Sequence, residues 1–376
     1  MRYTLVLLSR LGAVAMLLWS ASRCASAQTP PHTFGLGDST FLLDGRPFVI
    51  VSGEMHFARI PREYWSDRLH MARAMGLNTI ATYVFWNFQE PVKGSYRFSG
   101  NADVAAFVRA AQAESLFVII RPSPYACAEW EFGGYPWWLL REQGMNVRSS
   151  DPGYLNLVRR YCVALGRELA PLQITRGGNI IMVQLENEYG SYDHDKEYLE
   201  RNRRILRDAG FEVPLYTCDG PSQMPNGFLP GLLPAVNGLD SVAEVKALVD
   251  RYHGGRGPYF IAEWYPAWFD SWGLPHHVVP AQEYRAKLEA VLAHGVSINM
   301  YMAHGGTTFG FMNGANMSNG SPYAPQVTSY DYDAPIDEAG NATPKFMAFR
   351  EVIEKHLPPG VSLPPVPPVK AAMVLS

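Results

Sequence analysis

Cysteine is scarce in this chain: four residues in 376, at positions 24, 127, 162 and 218. So few cannot build a disulfide-stapled fold, and an apolar content of 47% supplies a large core instead. A strong charge of one sign is also lacking. With 32 basic and 35 acidic side chains the formal net charge is −3, so neither nucleic acid nor an anionic membrane surface is an expected partner. The one long apolar stretch, residues 11–19, is short for a membrane span and has no second copy. It follows Arg2, is preceded by an intruding Arg10, and leads to Ala25-Ser26-Ala27. This reads as a signal peptide over residues 1–27 and predicts a secreted or periplasmic protein. Its removal would leave 29 basic against 35 acidic side chains and three cysteines, hence at most one disulfide.

The usual marks of several chemistries are missing too. There is no H-E-x-x-H, no cysteine pair, no histidine pair on one helical face, and no G-x-S-x-G. No glycine-rich phosphate turn follows the first apolar strand pattern, which disfavours a doubly wound nucleotide-binding sheet. Neither metal nor cofactor is therefore expected.

Aromatic residues are plentiful: 9 Trp, 20 Tyr and 18 Phe, many beside polar residues. Flat apolar faces next to hydrogen-bonding groups suit sugar rings, although any single Trp is as readily explained by core packing. Short apolar runs alternate with amphipathic patterns along the chain. Strands are predicted over residues 48–51, 79–86, 116–121, 179–185, 214–217, 235–237, 258–262 and 297–302. Pro61 opens a helix carrying Trp65, Leu69, Ala72 and Met75 on one face and closed by Gly76. Further helices are expected around residues 104–111, 152–169, 242–252, 280–294 and 344–355. Eight strand-helix units with apolar residues on both strand parities predict an α/β fold, a (β/α)8 barrel filling residues 28–356. Residues 357–376 begin with a proline-rich linker and are expected to lead into a further region.

In such barrels the reactive groups lie at the C-terminal strand ends. Those ends carry Glu54 and His56; Tyr83, Trp86, Asn87 and Glu90; Arg121, Tyr125, Glu129 and Trp130; Glu186, Asn187 and Glu188; Glu263 and Trp264; Tyr301 and His304. Two carboxylates on strands four and seven, 75 residues apart, match the pair that cleaves a glycosidic bond. One protonates the leaving oxygen, and the other meets the anomeric carbon. Glu186 shares the parity of Glu188 and competes with it for the first role, or pairs deeper in, for instance with Arg121.

Several motifs carry a family resemblance. They are Gly53-Glu54-Met55-His56-Phe57-Ala58-Arg59-Ile60-Pro61, Trp86-Asn87-Phe88-Gln89-Glu90-Pro91, and Tyr125-Ala126-Cys127-Ala128-Glu129-Trp130-Glu131-Phe132-Gly133-Gly134. Gln184-Leu185-Glu186-Asn187-Glu188-Tyr189-Gly190, Ala262-Glu263-Trp264, Gly305-Gly306-Thr307 and Ser329-Tyr330-Asp331-Tyr332-Asp333-Ala334-Pro335 follow in order. Over residues 40–356 the chain resembles glycoside hydrolase family 35, the β-galactosidase family. The resemblance implies a retaining exo-β-galactosidase acting on terminal non-reducing galactose of an oligo- or polysaccharide, with Glu188 as acid/base and Glu263 as nucleophile. It also implies that Tyr83, Cys127, Ala128, Glu129, Asn187, Tyr301 and Tyr332 hold the galactose, and that β-sandwich domains follow the barrel. Cys127 then reads as a pocket-lining thiol, and Trp264, Trp268 and Trp272 as apolar walls. A retaining mechanism implies carboxyls about 5 Å apart. Gln89 and Ser123 depart from the residues common in the family, His and Gly, which touches specificity rather than the reaction. The rivals are an exo-glycosidase for another β-linked sugar such as glucosamine, and an inactive sugar-binding barrel.

Overall fold

The computed structural model describes residues 31–122, 124–317 and 322–369. The expected signal peptide, Ser123 and the end of the proline-rich tail (370–376) lie outside the described residues. Eight parallel strands close into a barrel: β1 (Val51–Met55), β2 (Thr79–Tyr83), β3 (Phe117–Arg121), β4 (Ile180–Gln184), β5 (Leu215–Asp219), β6 (Leu233–Asn237), β7 (Phe260–Trp264) and β8 (Ser297–His304). Each strand pairs with the next, and β8 pairs with β1 through Ile298–Val51 and Asn299–Ser52. This is the (β/α)8 barrel expected from the sequence. The strands are buried on both faces, toward the barrel interior and toward the helices, which is why their apolar residues follow no alternation.

Among the described residues, seven helices of ten or more residues surround the barrel: α1 (Trp65–Met75), α2 (Val104–Ala113), α3 (Pro152–Leu169), α4 (Lys196–Asp208), α5 (Val242–Tyr252), α6 (Ala281–Ala293) and α7 (Pro344–Lys355). Their starts follow local chemistry. Asp103, Asp151, Asp195, Ser241 and Thr343 each accept the backbone N–H three residues on, and Pro152 and Pro344 occupy the first helical position. Helix α1 ends at Gly76, whose φ of 108° suits glycine. The β5–β6 crossover departs from the repeat. It holds a single helical turn, Met224–Gly227.

Several boundaries move. The first strand starts at Val51 rather than residue 48, because Phe48 belongs to a three-stranded antiparallel sheet (Phe34–Leu36, Phe41–Leu43, Arg46–Phe48) that closes the bottom of the barrel. There Phe41 meets Phe260 and Phe48 meets Phe117, the first residues of β7 and β3. Glu54 and Glu263 sit inside their strands rather than just past them, because both strands extend beyond the apolar runs that predict them. Helix α4 was not foreseen. Its outward face is a run of Glu and Arg, while Tyr198, Leu199, Asn202, Ile205 and Leu206 are buried. Among the described residues after α7 no regular element forms, but Leu363 is largely buried and Arg350 donates to the Pro364 carbonyl at 2.9 Å.

Candidate active site

The upper interior of the barrel is polar. Arg121, at the end of β3, is fully buried and donates to Glu54 Oε2 at 2.9 Å, Gln184 Oε1 at 2.6 Å, Asn187 Oδ1 at 3.3 Å and Glu263 Oε1. Asn299 adds a donor to Glu54 at 2.7 Å, and Tyr216 one to Gln184 at 3.1 Å. Burial works against the Arg121 charge, but Glu54, Tyr83 and Glu263 outweigh it and hold the guanidinium well above its ordinary value. Burial likewise opposes the Glu54 charge, yet Arg121 and His56 bring its pKa down.

Above this layer lies a cavity of about 180 Å³. Tyr83, Cys127, Ala128, Glu129, Asn187, Glu188, Glu263, Tyr301 and Tyr332 all line it, joined by Ala126, Tyr265, Trp268, Phe269 and Asn316. Larger surface grooves exist, but they carry no comparable chemistry. One, about 540 Å³ between α3 and α4, is lined by arginines already paired with carboxylates, such as Arg201 with Glu197 and Arg204 with Glu200.

The two carboxylates, Glu188 in the turn after β4 and Glu263 within β7, have opposite surroundings. Glu263 Oε1 accepts from Arg121 and from the Tyr83 hydroxyl at 3.3 Å, and Oε2 accepts from Tyr265 at 2.6 Å. Burial raises both tyrosines far above their ordinary pKa, so both stay as donors. Such a carboxylate is fixed in direction by three donors. Among the described residues Glu188 has one side-chain partner, Asn237 Nδ2 at 3.1 Å. Burial and the nearby Glu263 charge push its pKa up to about 7, against the pull of Asn237 and Arg121. One carboxyl is thus aimed by a guanidinium and two hydroxyls, while the other retains a proton near neutrality, a division that suits nucleophile and acid.

Glu186 does not pair with Arg121. Arg148 grips it with Nη2 at 2.6 Å and Nε at 3.2 Å, and Tyr198 and the Asn187 backbone donate at 2.6 and 2.8 Å. Strand alternation fails here because β4 ends at Gln184. Glu186 and Glu188 then both take left-handed φ, 58° and 45°. With four donors on two oxygens, Glu186 is committed to holding the loop.

The β3–α3 loop shows a second departure from extended chain. Cys127, Ala128 and Glu129 adopt consecutive φ values of 63°, 55° and 47°, a conformation that costs about 1–2 kcal/mol for each side-chain-bearing residue. The turn directs the Ala128 carbonyl to Arg59 Nη2 at 2.7 Å, and Glu129 receives the Tyr330 hydroxyl at 2.5 Å. Burial raises the Glu129 pKa. Burial and Glu129 push the Cys127 thiol up to about 12, so it lines the cavity as a neutral group. Cys127, Cys162 and Cys218 are all free.

Other expected neighbours lie elsewhere. Trp264 is not a wall of the cavity. Because Glu263 points inward, the next residue on the strand points outward, where Trp264 packs on Tyr284 and Phe349 at 5.4 and 5.7 Å. Trp268 does line the cavity, whereas Trp272 is exposed outside it. His56 is buried beneath the cavity between Glu54 and Arg59, and His304 faces the Ile336 carbonyl. Glu90 holds the Trp86 indole at 2.6 Å. Among the described residues no group of three His, Cys, Asp or Glu is placed to hold a metal, and no helix is long and apolar enough to cross a membrane. Tyr265 and Asn316 were missed. For Tyr265 the strand period was a usable signal, since it lies two residues beyond Glu263.

Residues 40–356 match the family described as Glycosyl hydrolases family 35. A beta-galactosidase of Xanthomonas manihotis is 49% identical over 350 residues, covering 91% of this chain and 58% of that one. A human beta-galactosidase is 45% identical over 336 residues, covering 88% and 48%. The chain spans about half the length of the curated relatives it matches. Among solved structures, a GH5_18 protein of Streptomyces cattleya in complex with GlcNAc superposes with a TM-score of 0.61 at 13% identity, covering 88% of this chain and 83% of that one. That likeness is one of fold.

Proposed function

Given that the chain belongs to glycosyl hydrolases family 35, we propose that it is a retaining exo-β-galactosidase releasing terminal non-reducing galactose. The observation that carries this is the division of labour between Glu188 and Glu263 over a cavity with room for about one sugar ring. Glu263 attacks the anomeric carbon while the glycosidic C–O bond breaks and the Glu188 proton passes to the departing oxygen. The product of this step is a galactosyl ester on Glu263, which no longer carries a charge. The Glu263 charge, one of three influences that raise Glu188 beside burial and Glu129, disappears with it, so Glu188 becomes a stronger acid and its carboxylate is ready to take a proton from water. That water attacks the anomeric carbon, Glu263 leaves, and the configuration is retained.

Glu129, Asn187 and the tyrosine ring of Tyr83, Tyr301 and Tyr332 supply hydrogen-bond partners and flat faces around the sugar. On matched nitrophenyl β-glycosides, the galactoside is expected to exceed the glucoside and the glucosaminide in kcat/KM by about 10²-fold or more, because a misplaced hydroxyl leaves buried polar groups unpaired. Proton NMR should show β-galactose before mutarotation. Equal rates on the three sugars, or α-galactose as first product, would sink the reading.

The proton on Glu188 also sets a pH limb. kcat/KM is expected to fall about tenfold per pH unit above roughly pH 7, where free Glu188 loses its proton. Asn237→Ala removes a bond that favours the charged form, so the limb should move to higher pH. A limb that stays in place, or moves down, contradicts the assignment.

A further inference from the structure

We propose that Asp219 is a positioning residue for the general acid/base: its buried carboxyl pins the Glu188–Gly190 turn against the β5–β6 crossover and so fixes the direction of Glu188. The inference rests on the reading of Glu188 given above and goes beyond it.

Asp219 is the last residue of β5 and is buried. Its Oδ1 accepts the Gly190 backbone N–H at 2.9 Å, and its Oδ2 has no hydrogen-bond partner among the described residues. Two glycines make this contact possible. A Cβ on Gly227 would lie 1.8–2.3 Å from the Asp219 carboxyl, and one on Gly190 would lie 2.0 Å from the Gln223 carbonyl oxygen. The turn and the crossover therefore close on the carboxyl from two sides.

The turn needs such a hold. Glu188 adopts φ 45° and ψ 42°, left-handed and unfavourable for a residue with a side chain. Two links to β5 flank it: Glu188 N–H donates to the Cys218 carbonyl at 3.0 Å, and Gly190 N–H to Asp219. From outside, the Lys196 ammonium donates to the carbonyls of Asn226 and Phe228 at 2.5 and 2.6 Å and braces the crossover. The charged groups facing Asp219 are Glu188, Glu186 and Lys196. Burial, with Glu188 and Glu186, pushes the Asp219 pKa up to about 8, against the Gly190 bond and Lys196. At neutral pH the anchor is uncharged and adds no second anion beneath Glu188.

The test is a leaving-group series of aryl β-galactosides on Asp219→Ala, with Asp219→Leu replacing it if the alanine variant fails to fold. Asp219→Asn, which keeps the acceptor, is the rescue variant. A displaced acid harms substrates that need protonation and spares those that do not. kcat/KM is expected to fall about 10- to 100-fold on the phenyl galactoside and less than about threefold on the 2,4-dinitrophenyl galactoside, with Asp219→Asn restoring both. Equal losses on the two substrates, or no loss, would overturn the positioning role while leaving Glu188 as acid/base. A wild-type protein inactive on the whole series would instead overturn the galactosidase reading, and this inference with it.

Discussion

Glu263→Gln is expected to lower kcat on nitrophenyl β-galactoside by about four orders of magnitude, the loss typical of removing a nucleophile from a covalent mechanism. The amide keeps the shape of the side chain, and its oxygen can still accept from Arg121 and Tyr83. What it lacks is the charge that attacks the anomeric carbon. Arg121 retains Glu54 and Gln184 as partners, so the melting temperature should change little and the loss will not be a loss of fold. A smaller variant sharpens the experiment. With Glu263→Ala, added azide should enter the vacated space and attack in place of the carboxylate, giving the α-galactosyl azide in a single inverting step. Retained activity in Glu263→Gln, or a β-azide from Glu263→Ala, would rule out the nucleophile assignment.

Glu188→Ala should behave differently, and the contrast is as informative as either loss alone. Removing a general acid costs about 10²–10⁴-fold where the leaving group needs a proton. kcat/KM on phenyl galactoside is therefore expected to collapse, while an activated dinitrophenyl galactoside still forms the glycosyl-enzyme. Turnover then stalls at the ester, because the base that should activate water is also missing. A burst of dinitrophenol followed by slow release is the expected time course. Azide needs no base, so it should restore turnover and give the β-galactosyl azide, opposite in configuration to the product from Glu263→Ala. Uniform loss across leaving groups, or no response to azide, would remove Glu188 from the acid/base role. The pH limb near 7 should vanish in the same variant.

The barrel was legible because parallel strands buried on two faces leave short apolar runs, and these survive in the sequence even when their ends are blurred. Glu188 and Glu263 stood out because each acid follows such a run. Contacts between loops were not legible. Arg148 takes Glu186 from 38 residues away, out of a loop with a left-handed backbone at Arg148 itself, while Arg121 was the obvious cation because it ends the neighbouring strand. Nothing local distinguishes the two. Asp219 escaped notice because β5 was drawn two residues short, which left its terminal acid in a loop. Other misses were avoidable. The alternation that points Glu263 inward also points Trp264 outward and Tyr265 back in. In α4 the buried positions recur at helical spacing behind the charged face.

Strands β4 and β7 never touch. Around the closed sheet they are separated by β5 and β6 on one side and by β8, β1, β2 and β3 on the other. The gap between the strand ends that lead to Glu188 and carry Glu263 is therefore a dimension of the whole ring, set by strand number and tilt, and each carboxyl is tied to intervening strands through Asn237 on β6 and through Arg121 and Tyr83 on β3 and β2. Lengthening or replacing a rim loop alters what settles at the mouth but does not rescale the ring. The mouth is thus open to drift through insertions and deletions, while the spacing of the strand ends beneath it is locked to the architecture.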